Sequence, residues 1–136
     1  MIEDRPLFTE LKIGPKTAVN RIALNAMECN DADSSGNPTD LTYERYKKAF
    51  RGNAGLILME AISVIDESKG RMNQLIGTRE NQAALTKLIE TLRQENDKTL
   101  LLLQLTHSGE LSHSHFSRKV CVKPFPGYGL HFLTAD

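Results

Sequence analysis

The sequence predicts an α/β protein built on a parallel sheet: the N-terminal portion of a TIM (β/α)8 barrel, about three strands and two helices of it. Three observations carry this expectation. Short strand-like segments at 22–27, 54–60 and 100–105 each run into a polar or Gly-rich loop. Amphipathic helical stretches separate them. The chain has 136 residues, whereas eight βα units take about 250. A β-loop-α-β-loop-α-β order implies parallel strands joined by right-handed crossovers, so the three post-strand loops open on one face. In such folds that face carries the chemistry.

Taken in order, Leu7 to Lys16 alternates loosely and ends at Gly14-Pro15, which predicts a short extended segment or hairpin. Ile22 to Met27 is the first core strand, and Cys29 to Asp40, dense in Asn, Asp, Ser, Gly and Pro, is a loop. The next helix has Thr42 as its expected N-cap, Glu44 in the first turn where the helix dipole favours negative charge, and Leu41 with Tyr46 as a hydrophobic staple. Tyr43, Tyr46, Ala49 and Phe50 recur near helical spacing, and Gly52 is placed to end it. Ala54 to Glu60 is apolar on both faces up to its last residue, as a strand covered on both sides requires. Asp66 to Gln74 reads as a loop. Ala84, Leu85, Leu88, Ile89 and Leu92 form one stripe of a helix over roughly Arg79–Glu95. Leu100 to Leu105 is again short and apolar, and Thr106-His107-Ser108-Gly109 punctuates it. After Gly109 the periodicity is lost, and a stretch that long is a functional excursion or a segment whose partner is missing.

Composition narrows the function classes. Seventeen Lys and Arg balance seventeen Asp and Glu, and no basic stripe appears, so nucleic acid and anionic membranes are not expected partners. Cys29 and Cys121, without CxxC spacing, are expected to be free thiols in a reducing compartment. No basic start followed by an apolar run is present, and apolar stretches such as Leu100–Leu103 are too short to span a bilayer. The cytoplasm is the expected location.

Three groups of residues invite a chemical reading. Asp31 to Asn37 resembles half of a calcium loop, but Thr42 occupies the twelfth position and a strand precedes it, so a solvated polar loop is expected. His107, His113 and His115 lie close together, yet no helix fixes them and no thiol or carboxylate completes a shell; no metal is expected. Glu28, Glu60, Gln104 and His107 each fall at or just beyond a predicted strand end, and four on one face favour a pocket. Gln104 is the most specific, since a carboxamide carries donors and an acceptor and suits a heteroaromatic edge with N–H and C=O groups.

At these residues the chain resembles a known family. Leu7-Phe8 with Ile13-Gly14, Asn20-Arg21-Ile22, Ala26-Met27, Gly55-Leu56-Ile57 through Glu60-Ala61, and Gln104-Leu105 with His107 and Gly109 look like the N-terminal part of the Old Yellow Enzyme family. These are NADH:flavin oxidoreductases that include 2,4-dienoyl-CoA-reductase-like members. The resemblance implies one partial TIM-barrel domain over 1–136, holding FMN above the strand ends. It implies hydride passing from NAD(P)H through FMN to an activated alkene or similar small-molecule acceptor. It also implies that Asn25, Ala26, Met27 and Glu28 lie against the flavin, that the Ala61 backbone meets its pyrimidine side, and that Gln104 hydrogen-bonds the same edge, with His107 a candidate on the substrate side. No catalytic residue is assigned.

Three positions depart from the family pattern: Ala26 replaces a usual proline, Glu28 stands where many members have Cys or Thr, and Glu110 replaces an arginine. A carboxylate at position 28 disfavours an anionic reduced flavin unless it points away or is neutralised. The family's later substrate-orienting and phosphate-binding parts would fall beyond Asp136, so 1–136 is expected to be the N-terminal part of the enzyme. The alternative expectation is a non-catalytic half-barrel whose open strand edges and apolar surface associate with another chain or a second copy.

Overall fold

The structure is a computed structural model and describes residues 6–113 and 115. A short hairpin, β1 (Leu11–Ile13) and β2 (Lys16–Ala18), pairs Leu11 with Ala18 and Ile13 with Lys16. Its two-residue turn has Gly14 at φ +56°, a region glycine enters without steric cost. The expected hairpin is present.

The main sheet has the order β3 (Ala23–Leu24), β4 (Leu56–Ser63), β5 (Leu100–Thr106), all parallel. The strand expected over 22–27 is therefore only two residues long, because the chain leaves the sheet at Asn25. Asn20 makes the junction. Its Oδ1 accepts the N–H groups of Ile22 (3.0 Å) and Gly55 (2.8 Å), and its Nδ2 donates to the Asn53 carbonyl at 2.7 Å. Gly55 is required there, since a Cβ would lie 2.2 Å from the Asn20 carbonyl oxygen.

Between β3 and β4 lies α1 (Asp40–Arg51), and between β4 and β5 lies α2 (Gln82–Glu95). The N-cap of α1 is Thr39, not Thr42. Thr42 sits three residues in and accepts the Thr39 N–H at 3.1 Å, so it fills the third position of a capping box whose N-cap is Thr39. Gly52 follows the last turn but keeps φ −67°; the left-handed residue is Asn53, φ +54°. The second helix starts later than Arg79, with Asn81 as its N-cap.

Both helices cover one face of the sheet. Phe50, Ile57, Met59, Ile62, Leu75, Leu88 and Leu92 are fully buried between them, with Tyr46 beside them, and Arg51 clasps Glu95 across the two helices with bonds of 2.7 and 2.8 Å. The apolar strand β5 is open: Leu102, Leu103 and Leu105 are 55%, 40% and 65% exposed. The described residues form a three-stranded parallel sheet with its two helices and no closed barrel. No helix among them is long and apolar enough to cross a membrane.

Candidate functional site

Strands β4 and β5 run in register from Leu56 opposite Leu100 to Met59 opposite Leu103; Ala61 then faces Gln104. Residue 60 is thus the extra residue of a β-bulge, which breaks the alternation of side chains along β4. Met59 belongs to the helix-side core, and Glu60 also turns toward α1, where its carboxylate meets Arg45 and Tyr46. Ala61 is left opposite Gln104, as a directly paired couple on one face of the sheet.

The end of β4 is held from the next loop. Gln74, 2% exposed, donates Nε2 to the Ala61 carbonyl at 2.7 Å and accepts the Gly70 N–H at 2.9 Å. The Gln104 side chain lies exposed beside this anchored backbone, and among the described residues no group hydrogen-bonds its carboxamide.

The expectation that Glu60 shares a pocket face with Glu28, Gln104 and His107 is overturned. Glu60 is 1% exposed and is the centre of a buried cluster. Its Oε1 accepts from Arg45 Nη2 and from the Tyr46 hydroxyl, the latter at 3.3 Å, and its Oε2 accepts the Cys29 N–H at 3.4 Å. The Glu60 N–H, freed from the ladder by the bulge, donates to the Tyr46 oxygen at 2.8 Å. Arg45 completes the cluster with a two-pronged pair to Asp31 at 2.8 and 3.0 Å and lies over the Tyr46 ring.

The electrostatics follow from burial. Desolvation pushes the Glu60 carboxyl above the usual glutamate range, with Arg45 opposing. Burial raises the Tyr46 phenol to about 12. Burial works against the charge on Arg45, but the hydrogen bond to Asp31 and the Glu60 carboxylate hold its pKa above the ordinary arginine value.

The loop after β3 passes over this cluster. Asn25, Met27 and Glu28 are exposed and Ala26 is partly covered. Asn25, Met27, Cys29, Arg45 and Tyr46 line a cavity of about 160 Å³. Glu28 points toward Arg71 of the β4–α2 loop, at 3.4 Å, so the carboxylate that departs from the family pattern has a cation beside it. The two loops are stitched by Ala32 N–H to the Asn73 carbonyl (3.0 Å), Asn73 N–H to Asn30 Oδ1 (2.7 Å) and Ile76 N–H to the Gly36 carbonyl (3.0 Å).

His107 is exposed just past β5, and its Nδ1 accepts the Gly109 N–H at 3.0 Å, shaping its own turn. The remaining histidine candidates, His113 and His115, have ring centroids 5.1 Å apart, and no three metal-binding side chains cluster among the described residues. The calcium-like loop is more ordered than a merely solvated one. Asp33 accepts the N–H groups of Ser35 and Asn37, which lower its pKa, and Asn81 ties the loop to the start of α2 through the Ser35 carbonyl and Asn37. Asp31 is committed to Arg45 and Thr42. Cys29 is a free, exposed thiol. Cys121, the Glu110 side chain and the segment 116–136 lie outside the described residues.

Sequence reasoning missed Arg45, Tyr46, Asp31 and Gln74. One signal was available for Arg45 and Tyr46: a glutamate inside a strand apolar on both faces needs polar partners from the covering helix. Gln74 carries no such signal in a loop of polar residues.

Comparison with known proteins agrees with this geometry. Residues 6–124 match the NADH:flavin oxidoreductase / NADH oxidase family profile. An NADPH dehydrogenase of Listeria monocytogenes serotype 4b (strain CLIP80459) is 30% identical over 107 residues, covering 76% of this chain and 30% of its own length. The chain thus spans about a third of that relative. Among solved structures, a 2-naphthoyl-CoA reductase complex superposes with a TM-score of 0.75 at 25% identity, over 85% of this chain and 17% of that one. The old yellow enzyme from Trypanosoma cruzi gives 0.68 at 25% identity, over 79% and 28%. The folds shared are TIM barrels, of which the sheet and helices described here are a part. The family is one of FMN proteins that take hydride from NAD(P)H. With a family match across most of its length and the paired strands, bulge and strand-end loops in place, the chain belongs to the NADH:flavin oxidoreductase / NADH oxidase family.

Proposed function

We propose that the protein is an FMN-dependent oxidoreductase that passes hydride from NAD(P)H to an activated alkene or similar small acceptor, and that this chain forms the wall meeting the pyrimidine edge of the flavin. Ala61 and Gln104 form the edge contact, Asn25, Ala26, Met27 and Glu28 line the ring, and His107 stands on the substrate side. One observation carries the reading: the bulge sets Ala61 opposite Gln104, whose exposed carboxamide lies at the C-terminal end of the sheet. The chemistry of the donor set fits the group. A carboxamide presents donors and an acceptor to the alternating C=O and N–H groups of the ring edge, and the small Ala61 beside it leaves room for a flat ring. Bound FMN supplies the hydride chemistry; the protein supplies orientation and electrostatics.

The residues divide the work by position. Gln74 holds the Ala61 carbonyl, fixing the peptide that meets the ring. Arg71 offsets the charge of Glu28, which would otherwise oppose an anionic reduced flavin. The test is anaerobic addition of NADH or NADPH to the protein expressed from the whole of its reading frame and supplied with FMN. The flavin absorbance should bleach and return on adding an enone; flavin that stays oxidised with both donors would overturn the reading.

A second reading is favoured by the open apolar strand. Leu102 and Leu105 leave apolar surface exposed on both faces of β5, and Met27 is 67% exposed, which favours association with another copy or a companion chain. Light scattering after size exclusion distinguishes it, since a stable monomer of the 136-residue chain contradicts association.

A further inference from the structure

We propose that Glu60 is the positioning residue of the flavin-facing loop: its carboxylate, swung outward by the bulge, ties the Cys29 N–H to α1 and so sets the backbone of Asn25–Glu28. The inference rests on the flavin reading above. A bulge has two consequences here. It puts Ala61 opposite Gln104, and it sends the preceding side chain to the helix side, under the loop that follows β3.

The geometry gives each carboxylate oxygen a separate task. Oε1 takes Arg45 and Tyr46 of α1, while Oε2 takes the Cys29 N–H at 3.4 Å. Arg45 then grips Asp31 two residues further along, with bonds of 2.8 and 3.0 Å. The loop is held at positions 29 and 31 through Glu60 and Arg45, and between them Asn30 adopts φ +55°, a left-handed turn that asparagine enters more readily than most residues. A buried ion pair is weak evidence for stability, because desolvation offsets its attraction. Fixing the direction of a peptide is what a carboxylate with two oriented oxygens does and an apolar side chain of similar volume does not. The groups facing Glu60 are Arg45 and Tyr46 from α1 and Cys29 from the loop, with Asp31 across Arg45.

The experiment follows the Cys29 amide by NMR while the 136-residue chain, flavin-free, is titrated with acid. If the amide donates to Glu60, its proton signal moves with the midpoint of the Glu60 carboxyl, and it follows that midpoint downward in Asp31→Asn, where a negative charge that raises it is gone. In Glu60→Gln the titration of the Cys29 amide disappears, and the Asn25–Cys29 amides shift while those of Leu100–Leu102 hold. In the protein expressed from its whole reading frame, Glu60→Gln, which keeps one accepting oxygen but loses the charge and the second, then weakens FMN binding by up to about tenfold. Glu60→Asp, with the charge kept at shorter reach, falls between. A Cys29 amide that ignores the Glu60 titration overturns the proposal in the wild-type chain, where no variant has to fold. FMN affinity unchanged in Glu60→Gln but lowered in Gln104→Leu overturns it too, while leaving the flavin reading intact. A Cys29 amide that follows Glu60, beside a Gln104→Leu that binds FMN normally, supports the anchor and overturns the flavin reading instead.

Discussion

Removing Arg45 while keeping its aliphatic stem, as in Arg45→Met, leaves Glu60 buried without its cation. Taking one partner from a buried ion pair costs about 3–5 kcal/mol. Glu60 is 1% exposed, but the Arg45 side chain is 27% exposed, which favours the lower end, about 3 kcal/mol. That is a large part of the stability of a typical domain, roughly 5–15 kcal/mol. The loss should depend on pH in a defined direction. The folded-state pKa of Glu60 already lies above its unfolded value because of burial, so the folded form binds the proton more tightly. Its contribution is fully present below the unfolded pKa and is lost as pH rises through the folded one. Without Arg45, which opposes that shift, the folded pKa climbs further and the window widens upward. Urea unfolding of wild type and Arg45→Met should therefore differ most near pH 8. The difference should shrink on acidification by at most about 1.4 kcal/mol per pH unit. The double variant with Glu60→Gln should lose less than the sum of the singles by at least about 1 kcal/mol. A pH-independent loss together with strict additivity would refute the coupling.

Other outcomes follow from single contacts. Gly55→Ala places a Cβ 2.2 Å from the Asn20 carbonyl oxygen and should lower the urea midpoint by the equivalent of about 1–3 kcal/mol, while Gly14→Ala, with nothing within 4 Å, should cost less even with its positive φ. The Asp33 carboxylate, held below its usual pKa by the Asn37 and Ser35 N–H groups, contributes stability above its unfolded pKa that is lost as pH falls through its folded one; Asp33→Ala should speed amide exchange at Ser35 and Asn37 and remove that acid dependence. The 136-residue chain alone should leave gel filtration colourless, because the residues proposed to meet the flavin do so only along the ring; yellow protein surviving the column would contradict this.

Much of this architecture is legible in the sequence because apolar runs and turn residues act locally. Leu56–Met59 and Leu100–Leu103 declare strands, the first of them covered, Gly14-Pro15 declares the hairpin turn, and Leu85, Leu88 and Leu92 give the helix face that lands in the core. What was illegible depends on partners distant in sequence. The direction of Glu60 is set by register against β5, so one inserted residue moves it from the expected pocket to the helix side. Strand β3 ends at Leu24 because Asn25 is already bending toward a loop held by Glu60 and Asp31, which no local propensity encodes. Thr39 and Thr42 both satisfy capping chemistry, and only the chain's path from Asp31, whose carbonyl takes both hydroxyls, decides between them. The polar loop at 31–37 looked solvated because its bonds to Asn81 cross more than forty positions.

The edge contact of Gln104 is tested most directly by FMN titration of the apo-protein, expressed from its whole reading frame, beside its Gln104→Leu variant. Loss of the carboxamide leaves polar groups of the ring buried and unsatisfied, which costs about 1–3 kcal/mol. The dissociation constant should therefore rise roughly ten- to hundredfold, with a shift in the reduction potential of the bound flavin. An unchanged dissociation constant and potential, or a wild-type protein that takes up no FMN, would contradict the assignment.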